Sequence, residues 1–276
     1  MTSPHGASLG TTRIGTTRLG IAGDWHGNTT WAKAAIEVLP DDIDLLIHLG
    51  DFGFMGSNFV ASYLHKVNKW AQQRGLTIWV VPGNHENYDW LATQPVDAQG
   101  RTIAAPNVLA LPRGHRFMVG DLSACAVGGA VSIDQGRRTI RKTWWPQEAI
   151  TDEEAAATIE GGHADLLFTH DMPLDSGCPG LSQRDLIQWA GVIVANDAYV
   201  HHRRVRDIVE ALTPSNLIHG HMHERYTNPV AWKSTDGEPC DCVIDGLGCD
   251  GMRGNLGILT VDGSAVTITD LLVRQG

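Results

Sequence analysis

The sequence predicts an α/β protein, and three observations carry that reading. Short apolar runs at 18–23, 43–49 and 76–81 have the look of strands buried on both faces. The stretches between them, 29–39 and 57–74, place apolar residues at helical spacing. Each run also ends in a compact polar block beside a glycine: Asp24-Trp25-His26-Gly27, Gly50-Asp51 and Gly83-Asn84-His85-Glu86. In open α/β sheets, ligands gather beyond the carboxyl ends of strands, where these blocks fall.

Taken in order, Asn28 can cap a helix over Thr29–Leu39, with Trp31, Ala35 and Val38 near one face. The helix from about Ser57 to Arg74 turns Phe59, Tyr63, Val67 and Trp70 to one side. Over 117–133, two short strands are expected around Gly120-Asp121 and Gly128-Gly129. Residues 135–146 form a basic loop bearing tryptophans. Thr151 caps a helix to Glu160 whose first turn is acidic, which suits the helix dipole. A strand over 165–169 leads to His170, and one over 216–219 leads to Gly220-His221-Met222-His223. The stretch 182–212 reads as helix covering one edge, and 226–272 alternates short strands with turns, as a second sheet would. Residues 1–17 read as a loose tail with little to bury, and 18–276 as one domain.

The chain of 276 residues has an apolar share of 42%, ample for a core. Its net charge of −10 argues against a coat for long nucleic acid, and no stable nucleic-acid binding is expected. A small phosphorylated partner remains compatible, because a local metal charge outweighs the global field. Five cysteines without framework spacing read as reduced thiols; Cys240, Cys242 and Cys249 lack a fourth zinc ligand. No run approaches a membrane span, and the start has no signal-peptide centre, so a soluble cytoplasmic protein is expected. The oligomeric state is not legible.

The five polar blocks supply oxygen and imidazole donors suited to two divalent ions side by side. Asp51 is the expected bridge, since a carboxylate offers an oxygen to each ion. Asp24, His26 and His223 are assigned to the first ion, and Asn84, His170 and His221 to the second. These donors suit manganese foremost, with iron, zinc or nickel also compatible, rather than calcium or copper(I). Two such ions keep a small positive excess over the carboxylates and a bridging hydroxide, which favours anionic phosphate and attack on phosphorus. His85 follows the ligand Asn84 and is placed to protonate a leaving oxygen. His48, His65 and His219 lie within expected elements and read as core or surface histidines. His201-His202 with Arg203-Arg204 reads as a solvated helix face, and His5, His115 and His163 carry no signal.

The pattern D-x-H, GD, GNH[DE], H and GHxH resembles the calcineurin-like metallophosphoesterase superfamily over roughly residues 18–225. The run Gly128-Gly129-Ala130 to Asp134 and Trp144-Trp145-Pro146 is similar to single-domain bacterial and phage members. The resemblance implies a four-layer αββα sandwich, two mixed β-sheets packed together with helices outside. It also implies the metal assignments above, with Asp51 and His85 as the catalytic residues. One departure is visible. Ser/Thr protein phosphatases extend the second block to GDxVDRG, whereas this chain has Phe54 and Met55 where the aspartate and arginine stand. Loss of a guanidinium clamp for a dianion favours a phosphodiesterase on small nucleotide-type substrates, with side activity on monoesters. The alternatives are a phosphomonoesterase or protein phosphatase, and a scaffold that keeps the fold without turnover. Arg137, Arg138, Arg141 and Trp144 of the basic loop are the candidate substrate contacts, arginine for phosphate and tryptophan for a base.

Overall fold

The computed structural model describes residues 16–55, 57–179 and 183–274, without the side chains of 57–61 and 183. The expected loose tail therefore lies outside the described residues except for 16 and 17, and Thr17 already belongs to a strand. The strands are β1 (Thr17–Ala22), β2 (Leu45–His48), β3 (Thr77–Val80), β4 (Thr102–Ala105), β5 (Val108–Ala110), β6 (His115–Val119), β7 (Leu122–Val127), β8 (Leu166–Thr169), β9 (Asn216–His219), β10 (Tyr226–Lys233), β11 (Pro239–Gly246), β12 (Leu256–Asp262) and β13 (Ala265–Leu271). The helices are α1 (Thr29–Val38), α2 (Ser57–Arg74), α3 (Tyr88–Leu91), α4 (Asp152–Glu160) and α5 (Gln183–Leu212), the last kinked at Gly191.

Two mixed sheets result. One runs β13-β12-β1-β2-β3-β5-β4, the other β10-β11-β9-β8-β7-β6. Within the first, β1, β2, β3 and β5 are parallel neighbours. Within the second, β7, β8, β9 and β11 are. The inner faces meet in one apolar layer, where Leu19, Ile21, Ile47 and Val81 pack with Ala124, Phe168 and Ile218. Outside the first sheet, α1 and α2 bury Trp31, Ala35, Ile36, Tyr63 and Val67. Outside the second, α4 and α5 bury Ala155, Val205, Ile208, Val209 and Leu212. The order is thus helix, sheet, sheet, helix, the four-layer α/β sandwich that the motif series implies.

Three expectations need correction. The last two strands do not extend a second sheet: β12 pairs antiparallel with β1, from Thr17↔Val261 to Ala22↔Leu256, and carries β13 with it. Helix α5 lies on a face of the second sheet and not over its edge, because its apolar stripe continues through Leu212. His201 and His202 are buried, since Asp171 draws both inward, at 2.7 Å from His201 Nδ1 and 3.3 Å from His202 Nε2. Only the Arg203–Arg204 half of that segment faces outward.

The cap of α4 is as expected. The Thr151 hydroxyl accepts from the Glu154 N–H, and the Glu154 carboxylate accepts from the Thr151 N–H. Thr151→Ala is expected to lower unfolding free energy by about 1 kcal/mol, measured by urea denaturation. Among the described residues, no helix is long and apolar enough to cross a membrane.

Candidate metal centre

The polar blocks meet at the carboxyl ends of the parallel strands of both sheets. Asp24 and His26 follow β1, Asp51 follows β2 and Asn84 follows β3; from the other sheet, His170 follows β8, and His221 and His223 follow β9. Two clusters form, Asp24–His26–His223 and Asp51–His170–His221, the donor atoms within each lying inside 4.8 Å of one another. In the first, His223 Nε2 is 3.1 Å and His26 Nε2 3.9 Å from Asp24 Oδ2. In the second, His170 Nε2 is 3.5 Å from Asp51 Oδ1 and 3.0 Å from Asn84 Oδ1. Asp51 joins the clusters: its Oδ1 faces His170, and its Oδ2 lies 3.6 Å from His26 Nε2. One carboxylate thus presents an oxygen to each group.

The backbone is bent to achieve this. Seven described non-glycine residues have positive φ, and His26, Asp51, His221 and His223 are four of them. Such geometry is disfavoured for side chains with a Cβ and concentrates where the fold overrides local preference for a site. The neighbouring glycines make room. A Cβ on Gly50 would lie 2.2 Å from His170 Nδ1, one on Gly83 2.2 Å from Asp51 Oδ1, and one on Gly220 2.4 Å from Asp24 Oδ1.

Asp24 and Asp51 are fully buried, a costly position for charge without cationic partners. Burial pushes both carboxyls up, but the histidines prevail. His223 and His170 hold Asp24 below its ordinary value, and His170 and His85 hold Asp51 well below. Burial takes His221 down to about 3, which leaves it neutral, the form that binds a metal. His170 donates from Nδ1 to the Leu49 carbonyl at 2.5 Å, so the lone pair of Nε2 points inward. Anionic oxygens, an amide oxygen and oriented imidazoles fit a pair of divalent cations.

A sequence model described as calcineurin-like phosphoesterase matches residues 17–225. The chain belongs to that family. Among curated proteins, none matches the sequence significantly. Of solved structures, the purple acid phosphatase PPD1 from yellow lupin (Lupinus luteus) seeds aligns with TM-score 0.53 at 11% identity, over 96% of this chain and 53% of that one. GAP50, described as the anchor in the inner membrane complex of Plasmodium, aligns with TM-score 0.50 at 12% identity, over 95% and 86%. At such identities the likeness shows the fold alone.

Several further residues of this family member shape the site. Asn84 Nδ2 donates to Ser132 Oγ at 2.9 Å, and the buried Glu148 accepts from both the Ser132 hydroxyl and N–H, at 2.7 and 2.6 Å. That chain fixes the amide so that Oδ1 faces His170. Glu86, the last residue of its block, accepts the N–H groups of Phe52 and Phe54 at 2.7 and 2.8 Å and so shapes the turn after Asp51. Burial pushes its carboxyl up to about 7. Phe54 is buried and packs 4.9 Å from the Phe52 ring and 5.7 Å from Trp90, a purely apolar role.

His85 lies at the rim. Its N–H donates to Asp51 Oδ1 at 2.8 Å, and its Nε2 is 3.8 Å from Asp51 Oδ2. The group that approaches its ring is Arg138, whose Nη2 lies 2.9 Å from His85 Nδ1. Asp134 grips the Arg138 Nε at 2.9 Å. Burial, aided by the Arg138 charge, lowers the His85 pKa against the pull of Asp51. Of the four loop candidates, Arg138 lies against His85, and Trp144 reaches Glu148 behind Asn84. Arg141 pairs with Asp89 at 2.7 Å, Arg137 is exposed, and Trp144 is half-buried beside a buried Trp145.

Gly83→Ala is expected to reduce manganese uptake about 10–100-fold, because the methyl group displaces the Asp51 carboxylate. Metal analysis after gel filtration checks this.

Proposed function

We propose that this family member is a binuclear metal-dependent phosphoesterase acting on small phosphate esters, with nucleotide-type diesters as the favoured class and manganese as the favoured ion. The observation that carries the reading is the bridging placement of Asp51, whose two oxygens lie 3.5 and 3.6 Å from imidazoles of separate clusters. The building of the site across both sheets supports one catalytic domain from residue 18 onward. When bound, two divalent cations supply an activated water and offset charge building up at phosphorus.

The chain's own residues do the rest. Asp24, His26 and His223 hold one cation, and Asn84, His170 and His221 the other, with Asp51 shared between them. The buried frame fixes their spacing, which the in-line displacement needs. His85 protonates the departing ester oxygen. Arg138 lies against His85 and anchors a phosphoryl oxygen by a charge-assisted hydrogen bond.

A phosphomonoesterase is the second reading, and Arg138 is the observation that favours it. It brings a guanidinium to His85 from a different segment than the one in which Met55 replaces arginine. The test is a comparison of bis-p-nitrophenyl phosphate with p-nitrophenyl phosphate, then of cyclic nucleotides, linear dinucleotides and phosphopeptides, all with Mn²⁺. A faster diester reaction upholds the first reading, a faster monoester reaction the second, and no hydrolysis by the metal-loaded protein rejects both. Arg138→Ala is expected to raise KM for the preferred ester about tenfold or more, with metal content unchanged. Steady-state kinetics beside metal analysis measure both.

A further inference from the structure

We infer that Asp250 is a positioning residue for the first cation, acting through His26. The inference rests on the binuclear reading above. Asp250 lies beyond residues 17–225, the span matched by the family, and outside every motif block.

The geometry is specific. Asp250 Oδ1 lies 2.9 Å from His26 Nδ1, and Oδ2 accepts from Asn28 Nδ2 at 2.7 Å. The Asp250 N–H donates to the Asp24 carbonyl at 2.8 Å. One residue thus grips three members of the loop after β1. Both of its oxygens are engaged by that loop, so Asp250 is not itself a donor to the cation. Its effect is on the imidazole. A carboxylate at Nδ1 fixes the proton there and leaves the Nε2 lone pair facing inward, 3.9 Å from Asp24 Oδ2 and 3.6 Å from Asp51 Oδ2. It also makes the imidazole a stronger donor. His26 has φ 47°, a backbone conformation held by the bond of its N–H to the Asp51 carbonyl at 2.7 Å, and Asp250 holds the ring.

The clamp is anchored in turn. The segment 247–255 leaves β11 and folds back over β1. Its Leu247 N–H donates to the His219 carbonyl at 2.9 Å. Asn255, fully buried, accepts the indole N–H groups of Trp25 and Trp31 at 3.1 and 2.6 Å. Its Nδ2 donates to the Asp24 and Gly248 carbonyls at 3.2 and 2.8 Å. These bonds fix the segment at both ends, so Asp250 is presented on a rigid support. In the second cluster the side chains are oriented from elsewhere, His170 by the Leu49 carbonyl and Asn84 by Ser132, while the His221 backbone N–H donates to Asp24 Oδ1 at 3.0 Å. The imidazole that Asp250 touches belongs to the first cluster, so a change at Asp250 bears chiefly on the first cation.

The test is calorimetric titration of the metal-free full chain with Mn²⁺ alone. The parent protein is expected to take up two ions. Asp250→Ala should keep one at parental affinity and weaken the other about 10–100-fold. Asp250→Asn retains an acceptor for Nδ1–H and should recover part of the loss. This conservative variant also decides the matter if the alanine variant fails to fold. Melting of the metal-free proteins separates general destabilisation from a loss confined to metal. Two ions bound at parental affinity in folded Asp250→Ala, or in Asp250→Asn where the alanine variant does not fold, would overturn the role of Asp250. Equal weakening of both ions would overturn its selectivity. A single ion on the parent protein, weakened by the substitution, would remove the binuclear reading and leave Asp250 in its role.

Discussion

Asp51→Ala is expected to abolish turnover and strip both cations at once. The two oxygens of Asp51 face imidazoles of both clusters, so each position loses a donor. Its removal also leaves His26 and His170, both drawn toward it, without their common anion. Loss of metal-based charge stabilisation and of the activated water predicts a fall in turnover of more than about 10³-fold. His170→Ala, by contrast, should empty the second position first, because Asp24, His26 and His223 remain as a set. Plasma mass spectrometry of protein reloaded with Mn²⁺, beside ester hydrolysis, reads both effects. Parental metal content in Asp51→Ala would refute the bridge.

The second large effect is at His85, and it should separate metal binding from chemistry. His85→Ala is expected to retain metal, because the seven proposed ligands stand without its ring. Its backbone N–H donates to Asp51 Oδ1, and alanine keeps that bond. Turnover should fall about 10²–10⁴-fold if the imidazole donates a proton to the leaving oxygen. The same role predicts that the loss shrinks for an ester with a more acidic leaving group, which needs less protonation. A loss that is uniform across leaving groups would instead assign His85 to steadying the phosphoryl oxygens, and unchanged turnover would remove it from the mechanism.

Much of this site was legible because its residues end apolar runs. A buried parallel strand reads as a hydrophobic stretch, and the residue after it has only the rim to occupy. That logic located Asp24, Asp51, Asn84, His170 and the His221–His223 pair on elements whose observed bounds differ by a residue or two. It could not locate Ser132 or Glu148, which lie outside the motif blocks and reach the site through Asn84 and Arg138. Asp250 did leave a trace. Gly248-Cys249-Asp250-Gly251 follows β11 with the same glycine-flanked grammar as the other blocks.

The buried His201–His202 pair departs from its expected exposure for a related reason. Helical position shows which residues share a face, but the burial of these two depends on Asp171, thirty positions upstream of His201. Sheet membership was illegible for β12 and β13, because alternation shows that a strand has a partner without saying which. Residues 87–116 carry no periodicity long enough to predict an element, and there β4 and β5 are strands of only four and three residues.

The pairing of β1 with β12 has a temporal consequence. A ribosome makes the first donor loop early and its neighbouring strand more than two hundred residues later, since Ala22 lies opposite Leu256. Until that late segment emerges, β1 has one bare edge and His26 has no clamp. A nascent chain therefore carries the donors of this loop before the segment that braces them. Closure across so long a stretch also makes this step slow among the events of folding.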